Sequence, residues 1–318
     1  MTVSLSLKTV GNVLIRSMHS SVRSNSECVC RRWAFDMNSA FESKQLEAFY
    51  RKAVQCITSE QHDRMAKYRF RDDALACLIG RLFLRQATRT FTGVDWHSVE
   101  LGRTEKGKPY VVSPGDTTFG INLSHQGDYV AFSSSCSSQV GVDCMRIDMQ
   151  RGNKTADEYI SSMSRLFTAD ELDVMRSQPT EQMKMTVFYR FWCLKEAICK
   201  ATGEGIPNDL STIDFRVDTG DLYHPGCFIT STAVQVDGWP QNQWVFEESF
   251  IDTTHTVAVC REKALPRYCT FNEDPNSQLF FSSVDFEFLL DGATVINPVM
   301  DDAADDFSNF MNKPRKTF

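Results

Sequence analysis

The sequence has no apolar run near the ~20 residues that a membrane-spanning helix needs, which excludes a helical transmembrane protein. It has no basic excess either. Lys and Arg total 34 against 41 Asp and Glu, a net charge of −7, so neither nucleic acid nor a membrane is an expected partner. There is no G-x-x-x-x-G-K-[ST], which disfavours a P-loop enzyme. G-x-G-x-x-G, H-E-x-x-H and G-x-S-x-G are also missing, so Rossmann dehydrogenase, metalloprotease and α/β-hydrolase readings lose support. The 11 cysteines include no C-x-x-C pair, and a zinc site of the usual kind is not expected. Cys77, Cys193 and Cys199 lie in apolar runs, and buried, reduced thiols of a cytoplasmic protein are the simplest account.

What is present is an ordinary globular composition over 318 residues, 42% hydrophobic and 24% charged, about two domains' worth. The ends look separate from the body. Residues 1–30 read as an extension before the first structured segment at Arg32–Phe35. Residues 1–26 carry Lys8, Arg16, Arg23, many Ser and no acid, a composition like a mitochondrial presequence; a disordered extension on a cytoplasmic protein is the plainer alternative. No long apolar segment suggests a secretory signal. Residues 264–318, with four prolines and the acids Asp301, Asp302, Asp305 and Asp306, read as a tail, although Leu279–Leu290 could dock as a strand.

Between the ends, helical and strand patterns mix without a regular βαβα rhythm, which predicts an α+β architecture in two similar-sized halves, 31–138 and 139–263. Leu75, Leu78, Ile79, Leu82 and Phe83 recur at helical spacing; Arg81, Arg85 and Arg89 read as a solvated face of the same helix. Phe119–Leu123 and Tyr129–Ser133 flank a polar Gly127-Asp128 turn, and Gln139–Cys144 reads as a strand with Asp143 near its end. Thr168-x-x-Glu171 is a capping box. A long helix is predicted over Glu181–Ala201, stopped at Gly203 and apolar on two faces, as a helix buried between layers would be. Glu196 projects away from its main apolar stripe, where Lys200 at i+4 could pair with it or a cation could bind.

Four segments offer parts for phosphate chemistry, which needs cationic donors, a divalent metal and an orienting base. Arg103-Thr104-Glu105-Lys106-Gly107-Lys108 places three cations around a glycine; taken alone it could equally be an exposed basic loop. Asn122-Leu123-Ser124-His125 offers an amide, a hydroxyl and an imidazole, although a lone His is usually structural. Asp143 and Glu196 together form the minimal carboxylate set for Mg²⁺.

In this order the segments resemble the 4′-phosphopantetheinyl transferase family, particularly its animal-type branch. Gly141-Val142-Asp143 is similar to the family's G-[VI]-D signature, and Trp192-x-x-Lys195-Glu196-Ala197-x-x-Lys200-x-x-Gly203-x-Gly205-Ile206 to its W-x-x-K-E-[AS]-x-x-K-x-x-G-x-G-[IL] signature. Arg32–Phe35, Gly80–Leu82, Arg103–Pro109, Ser124–Tyr129, Phe188–Arg190 and Trp244–Ser249 extend the likeness over about residues 31–262. The resemblance implies two similar halves related by a pseudo-two-fold axis, with coenzyme A and Mg²⁺ in the cleft between them. It implies transfer of phosphopantetheine from coenzyme A to a serine of an apo carrier protein, with release of adenosine 3′,5′-bisphosphate. On this reading Arg64, Arg103, Thr104, Glu105, Lys106, Gly107, Lys108, Asn122, Leu123, Ser124, His125, Glu196 and Lys200 contact coenzyme A, and Asp143 and Glu196 bind Mg²⁺. Glu196 acts as general base; Lys200 and His125 stabilise charge on the pyrophosphate.

Where many members read D-x-E, this chain has Asp143-Cys144-Met145, and methionine is a poor ligand for a hard cation, so a water is expected there. Animal-type members look similar at this point. Fatty acid synthase, an acyl carrier protein and an aminoadipate-type reductase are all compatible carriers, and fusion of two halves in one chain favours a monomer. The competing readings are an inactive module that binds coenzyme A or a carrier protein, and an interaction protein that works through its tail.

Overall fold

The computed structural model describes residues 27–148, 153–205, 207, 209–218, 220–272, 278–298 and 303–316. The presequence-like stretch 1–26, Ile206, Asp301 and Asp302 lie outside the described residues. Strand β1 (Arg31–Asp36) is followed by helices α1 (Met37–Glu42), α2 (Leu46–Gln55), α3 (Ser59–Ala66) and α4 (Arg71–Thr92). Strands β2 (Glu100–Arg103), β3 (Pro109–Ser113), β4 (Gly120–Gln126), β5 (Tyr129–Ser135) and β6 (Val140–Arg146) come next. Helices α5 (Ala156–Ser162), α6 (Ala169–Arg176) and α7 (Glu181–Thr202) lead into β7 (Ile213–Arg216), β8 (Ala233–Val236) and β9 (Trp239–Pro240). The chain closes with β10 (Trp244–Phe250), β11 (His255–Glu262), β12 (Ser282–Val284), α8 (Phe286–Leu289) and α9 (Ala303–Asn312).

Two sheets carry the architecture, ordered β12-β1-β5-β4 and β10-β11-β6; β2-β3 and β7-β8-β9 are smaller sheets. The mixture is the α+β class expected. The apolar stripe of α4 packs on the first sheet, where Phe83, Trp33 and Phe132 stack with ring centroids 5.0–6.3 Å apart. Asp72 and Asp73 in its first turn suit the positive end of the helix dipole, and Gly93 ends it at φ 76°. Helix α7 is buried on nearly every face, between β6 and β11 on one side and α5 and α6 on the other. The side chain of Thr180 caps its start and Gly203, at φ 74°, ends it.

Two expectations are corrected. Arg81 and Arg85 do not lie on a solvated face: both are buried, and Arg85 Nη1 donates to the carbonyls of Trp96 and Val99 at 3.1 Å. Arg89 donates to Asp291 O, tying the helix to the C-terminal segment. That segment is no detached tail over residues 282–298 and 303–316. β12 pairs in parallel with β1, Phe286, Leu289 and Phe310 enter the first core, and Phe310 stacks on Tyr50 at 4.6 Å. Asp306 accepts from Tyr50 Oη at 3.0 Å and meets His62 Nε2 at 3.1 Å, while Arg315 pairs with Asp72 at 2.8 Å. An acid read as solvated is therefore an anchor, because its partners lie over 240 residues away in sequence.

Candidate active site

Side chains alternate along β6, so Gly141, Asp143 and Met145 share the face toward α7 while Val142 and Cys144 face the opposite layer. A Cβ on Gly141 would fall on Ala197 O and Ala201 N of α7. Glycine is what lets strand and helix backbones touch here. The contact brings Asp143 to two residues of α7 that lie one turn apart, Glu196 and Lys200.

Asp143 Oδ1 accepts from Lys200 Nζ at 2.7 Å and from Ser124 Oγ at 2.8 Å. Its Oδ2 is buried and has no partner among the described residues. Lys200 Nζ also donates to Ser124 Oγ at 3.0 Å and Val142 O at 3.1 Å, which occupies its three protons. Burial would lower the Lys200 pKa, but the Asp143 carboxylate outweighs it and holds the ammonium above its ordinary value. The i+4 pairing of Lys200 with Glu196 does not form; Lys200 pairs across to β6 instead. Glu196 makes no hydrogen bond or ion pair among the described residues. Burial and then the Asp143 charge push its pKa up, only partly opposed by Lys200.

The two main sheets meet beside this group without a backbone ladder between β4 and β6. Side chains do the joining. Asn122 Oδ1, Ser124 Oγ and Gln126 Oε1, two residues apart on β4, accept from the backbone N–H of Val142, Cys144 and Arg146 at 3.0, 3.4 and 2.5 Å. Asn122 and Ser124 line the cleft, and both side-chain oxygens are already committed to this junction.

Above it opens a cleft of about 340 Å³. Arg64 of α3, Arg81 of α4, and Arg103, Lys106, Gly107 and Lys108 of the β2–β3 hairpin line it, with Asn122, Leu123, Ser124, His125, Glu196 and Lys200. Partial burial, then the charges of Arg81 and Arg64, lower the Arg103 pKa. Three guanidiniums thus crowd one wall, none of them in an ion pair among the described residues, and the buried Arg81 Nε lacks a partner among them. Lys108 Nζ donates to Ala201 O at 2.5 Å at the carbonyl end of α7, and burial lowers its pKa to about 8. The His125 ring opens onto the cleft, and enclosure by the cleft walls holds its pKa below the ordinary value. Thr104 and Glu105 are exposed and do not line the cleft; Thr104 shapes the hairpin turn by accepting from Lys108 N and Gly107 N.

The sequence that builds this cationic wall and the two acids is similar to known proteins along most of its length. A family model described as 4′-phosphopantetheinyl transferase, N-terminal, matches residues 44–137, and one described as 4′-phosphopantetheinyl transferase superfamily matches 139–260. The L-aminoadipate-semialdehyde dehydrogenase-phosphopantetheinyl transferase of Mus musculus is 33% identical over 279 residues, 84% of this chain and 87% of that protein. The Xenopus laevis protein of the same name is 31% identical over 90% of this chain and 93% of its own length. A phosphopantetheinyl transferase of Thraustochytrium sp. is 34% identical over 65% of this chain and 70% of its own length.

The chain belongs to the 4′-phosphopantetheinyl transferase superfamily. It is a transferase that moves phosphopantetheine from coenzyme A to carrier proteins. Within this phosphopantetheinyl transferase the signature lysine Lys195 stays out of the cleft. It is buried on the far side of α7, where Nζ donates to Leu210 O at 3.0 Å and Ile213 O at 2.5 Å and pairs with Glu171 at 2.9 Å. Glu171 closes the capping box of α6 and accepts from Phe215 N. Burial pushes the Glu171 pKa up and the Lys195 pKa down, so each ion depends on the other. Replacing Lys195 with Met therefore lowers transferase stability by roughly 3–5 kcal/mol through the stranded carboxylate, read as a fall in the urea midpoint. Folded variant keeps its coenzyme A KM; a raised KM with full stability would move Lys195 into the cleft.

The cleft cation that sequence patterning missed is Arg81. It stands between Gly80 and Leu82 in a stretch that the structure buries on nearly every face. A cation in such a position needs an anion or a carbonyl.

Proposed function

We propose that coenzyme A lies in this cleft with its nucleotide phosphates against Arg64, Arg81, Arg103 and Lys108 and its pyrophosphate toward Asp143 and Glu196. The observation that carries this reading is the pairing of a crowded cationic wall with two converging acids, Glu196 with no side-chain partner and Asp143 with its Oδ2 unpartnered among the described residues. The acids suit Mg²⁺, which takes one or two hard carboxylates and completes its shell with water and substrate phosphates. Asp143 and Glu196 would hold the ion, and the orphaned Asp143 Oδ2 is a donor left over for it. Bound there, the ion supplies charge that screens the pyrophosphate oxygens.

The residues then divide the work. Glu196, whose raised pKa makes it a better proton acceptor than an ordinary carboxylate, takes the hydroxyl proton of the carrier serine directly or through a water. The serine oxygen bonds to the β-phosphorus as the bond from that phosphorus to the bridging oxygen breaks, and adenosine 3′,5′-bisphosphate leaves. Lys200 keeps Asp143 aimed and adds positive charge near the pyrophosphate; His125 donates a hydrogen bond from its ring. Apo carrier domains are the acceptors. A domain of an aminoadipate-type reductase is the first to try, since the mouse and frog relatives carry that enzyme in their names; fatty acid synthase and free acyl carrier protein follow. The test is incubation of the full chain with coenzyme A, Mg²⁺ and an apo carrier. The expected result is a carrier heavier by one phosphopantetheine on its serine; no gain with any of these carriers would overturn the reading.

Lys108 gives a pH signature. Its pKa of about 8 lies below the ordinary 10.5, so the folded protein releases this proton before the unfolded chain does. Stability linked to Lys108 therefore rises with pH between about 8 and 10.5, because the unfolded state holds more protons there. Attraction for coenzyme A moves the other way as the charge is lost. The KM for coenzyme A is expected to climb several-fold above pH 8 while the urea midpoint does not fall, and the climb flattens in Lys108→Met. A flat wild-type KM profile would remove Lys108 from the phosphate wall.

A further inference from the structure

Cys28 and Cys30 precede β1, Cys136 follows β5, and Cys269 lies between β11 and β12, yet their four sulfurs all lie within 4.8 Å of one another. The separations are 3.5 Å for Cys28–Cys269, 3.7 Å for Cys30–Cys269, and 3.8 Å for both Cys30–Cys136 and Cys28–Cys136. A zinc ion bound tetrahedrally at a Zn–S distance of about 2.3 Å sets the sulfurs about 3.8 Å apart. A disulfide needs about 2.05 Å, and all four cysteines are free thiols. We propose that Cys28, Cys30, Cys136 and Cys269 form a structural Zn²⁺ site.

The surroundings fit that ion. Among the described residues no carboxylate or imidazole joins the group, and a set of four soft sulfurs selects zinc over the hard cations suited to Asp143 and Glu196. Val29 N donates to Cys136 Sγ at 3.4 Å, a bond that favours the thiolate. Arg31 Nη1 donates to the carbonyls of Cys28 and Cys30 at 3.2 and 2.8 Å, clasping the C-x-C loop and setting a positive charge beside a site that binds with net charge −2. Val29, Leu265, Tyr268, Phe271 and Leu279 pack around the sulfurs. Four protein ligands leave no open position, which is the structural and not the catalytic form. Binding converts four thiols to thiolates and releases their protons to solvent, with no change of oxidation state.

The location gives the site its purpose. The chain passes from the first main sheet to the second between β5 and β6, at Cys136, and returns between β11 and β12, at Cys269. Both crossings are tied to the segment that opens β1. The ion would fix the two sheets relative to each other, and with them the β4–β6 junction under the cleft. The missing C-x-x-C pattern hid this site from the sequence, because only Cys28 and Cys30 are neighbours along the chain.

The test is elemental analysis of the full-length protein, purified without chelators and dialysed against metal-free buffer. One equivalent of zinc per chain is expected, retained in Asp143→Asn and lost in the Cys28→Ser/Cys136→Ser double variant. Should that variant fold poorly, exchange of the wild-type ion for Co²⁺ gives the visible bands of a tetrahedral cobalt thiolate, and a mercurial releases zinc as four thiols react. Metal-free wild type that takes up no cobalt overturns the proposal. So does an equivalent of iron in place of zinc, or zinc that stays in the folded double variant.

Discussion

Glu196→Gln lowers phosphopantetheine transfer by roughly 10²- to 10⁴-fold, the range for loss of a positioned general base, and leaves the protein at least as stable as wild type. The two halves of this result have one cause. Glu196 is held in a half-buried position next to Asp143 with no partner of its own, and both burial and that neighbour penalise its charge. A glutamine of the same shape removes the penalty from the resting fold. It also removes the proposed proton acceptor and one of the two carboxylates proposed to hold the ion. The decisive measurement pairs the transfer rate at saturating coenzyme A and Mg²⁺ with the urea midpoint. A rate within a few-fold of wild type would take Glu196 out of the chemistry. A collapse in the midpoint would mean that Glu196 has a structural partner after all.

Gly141→Ala is expected to damage both stability and transfer, and transfer more. The added methyl would land on the backbone of α7 at Ala197 and Ala201, not on a flexible side chain. Strand and helix must separate, and overpacking of this kind costs about 1–3 kcal/mol, sometimes more. The same displacement spreads Asp143 from Glu196 and Lys200, which meet only because β6 and α7 touch. A misplacement of about 1 Å in a reacting constellation can cost on the order of 10²-fold in rate. The expected result is a soluble, less stable protein with a lower urea midpoint, transfer reduced about a hundredfold, and a higher Mg²⁺ requirement. Wild-type transfer with a shifted midpoint would show that the acids tolerate the separation.

Much of the local structure was legible before any coordinates. The capping box at Thr168 and Glu171, the stop at Gly203 and the apolar stripe from Leu75 to Phe83 are written over a few residues each, and the helices run where these patterns place them. The cation-rich hairpin, the Asn122–His125 stretch, Asp143 and Glu196 were nominated by residue type and order. What those residues do to one another was not. Asn122 and Ser124 look like phosphate grips in sequence, and in the structure their oxygens also stitch two sheets together. Lys200 could face Glu196 by helical spacing, but Asp143 on another strand offers a buried carboxylate at 2.7 Å and takes it. Lys195 and Glu196 are adjacent in one signature and point to opposite sides of α7, one into a buried ion pair and one into the cleft.

Family membership, α+β class, the places of α4, α6 and α7 and the phosphate-handling residue types were determined by the amino-acid order alone, because propensity, capping and periodicity act between residues a few positions apart. Only the tertiary structure decided that Arg81 is a cleft cation, that side chains from Val284 to Ile296 and from Phe307 to Met311 complete the first core, and that four scattered cysteines converge. These outcomes depend on which strands lie side by side. Contacts between residues more than a hundred positions apart leave no local period to read, and burial then changes what each side chain requires: a solvated arginine or aspartate needs nothing, and the same residue enclosed by protein needs a partner of opposite charge.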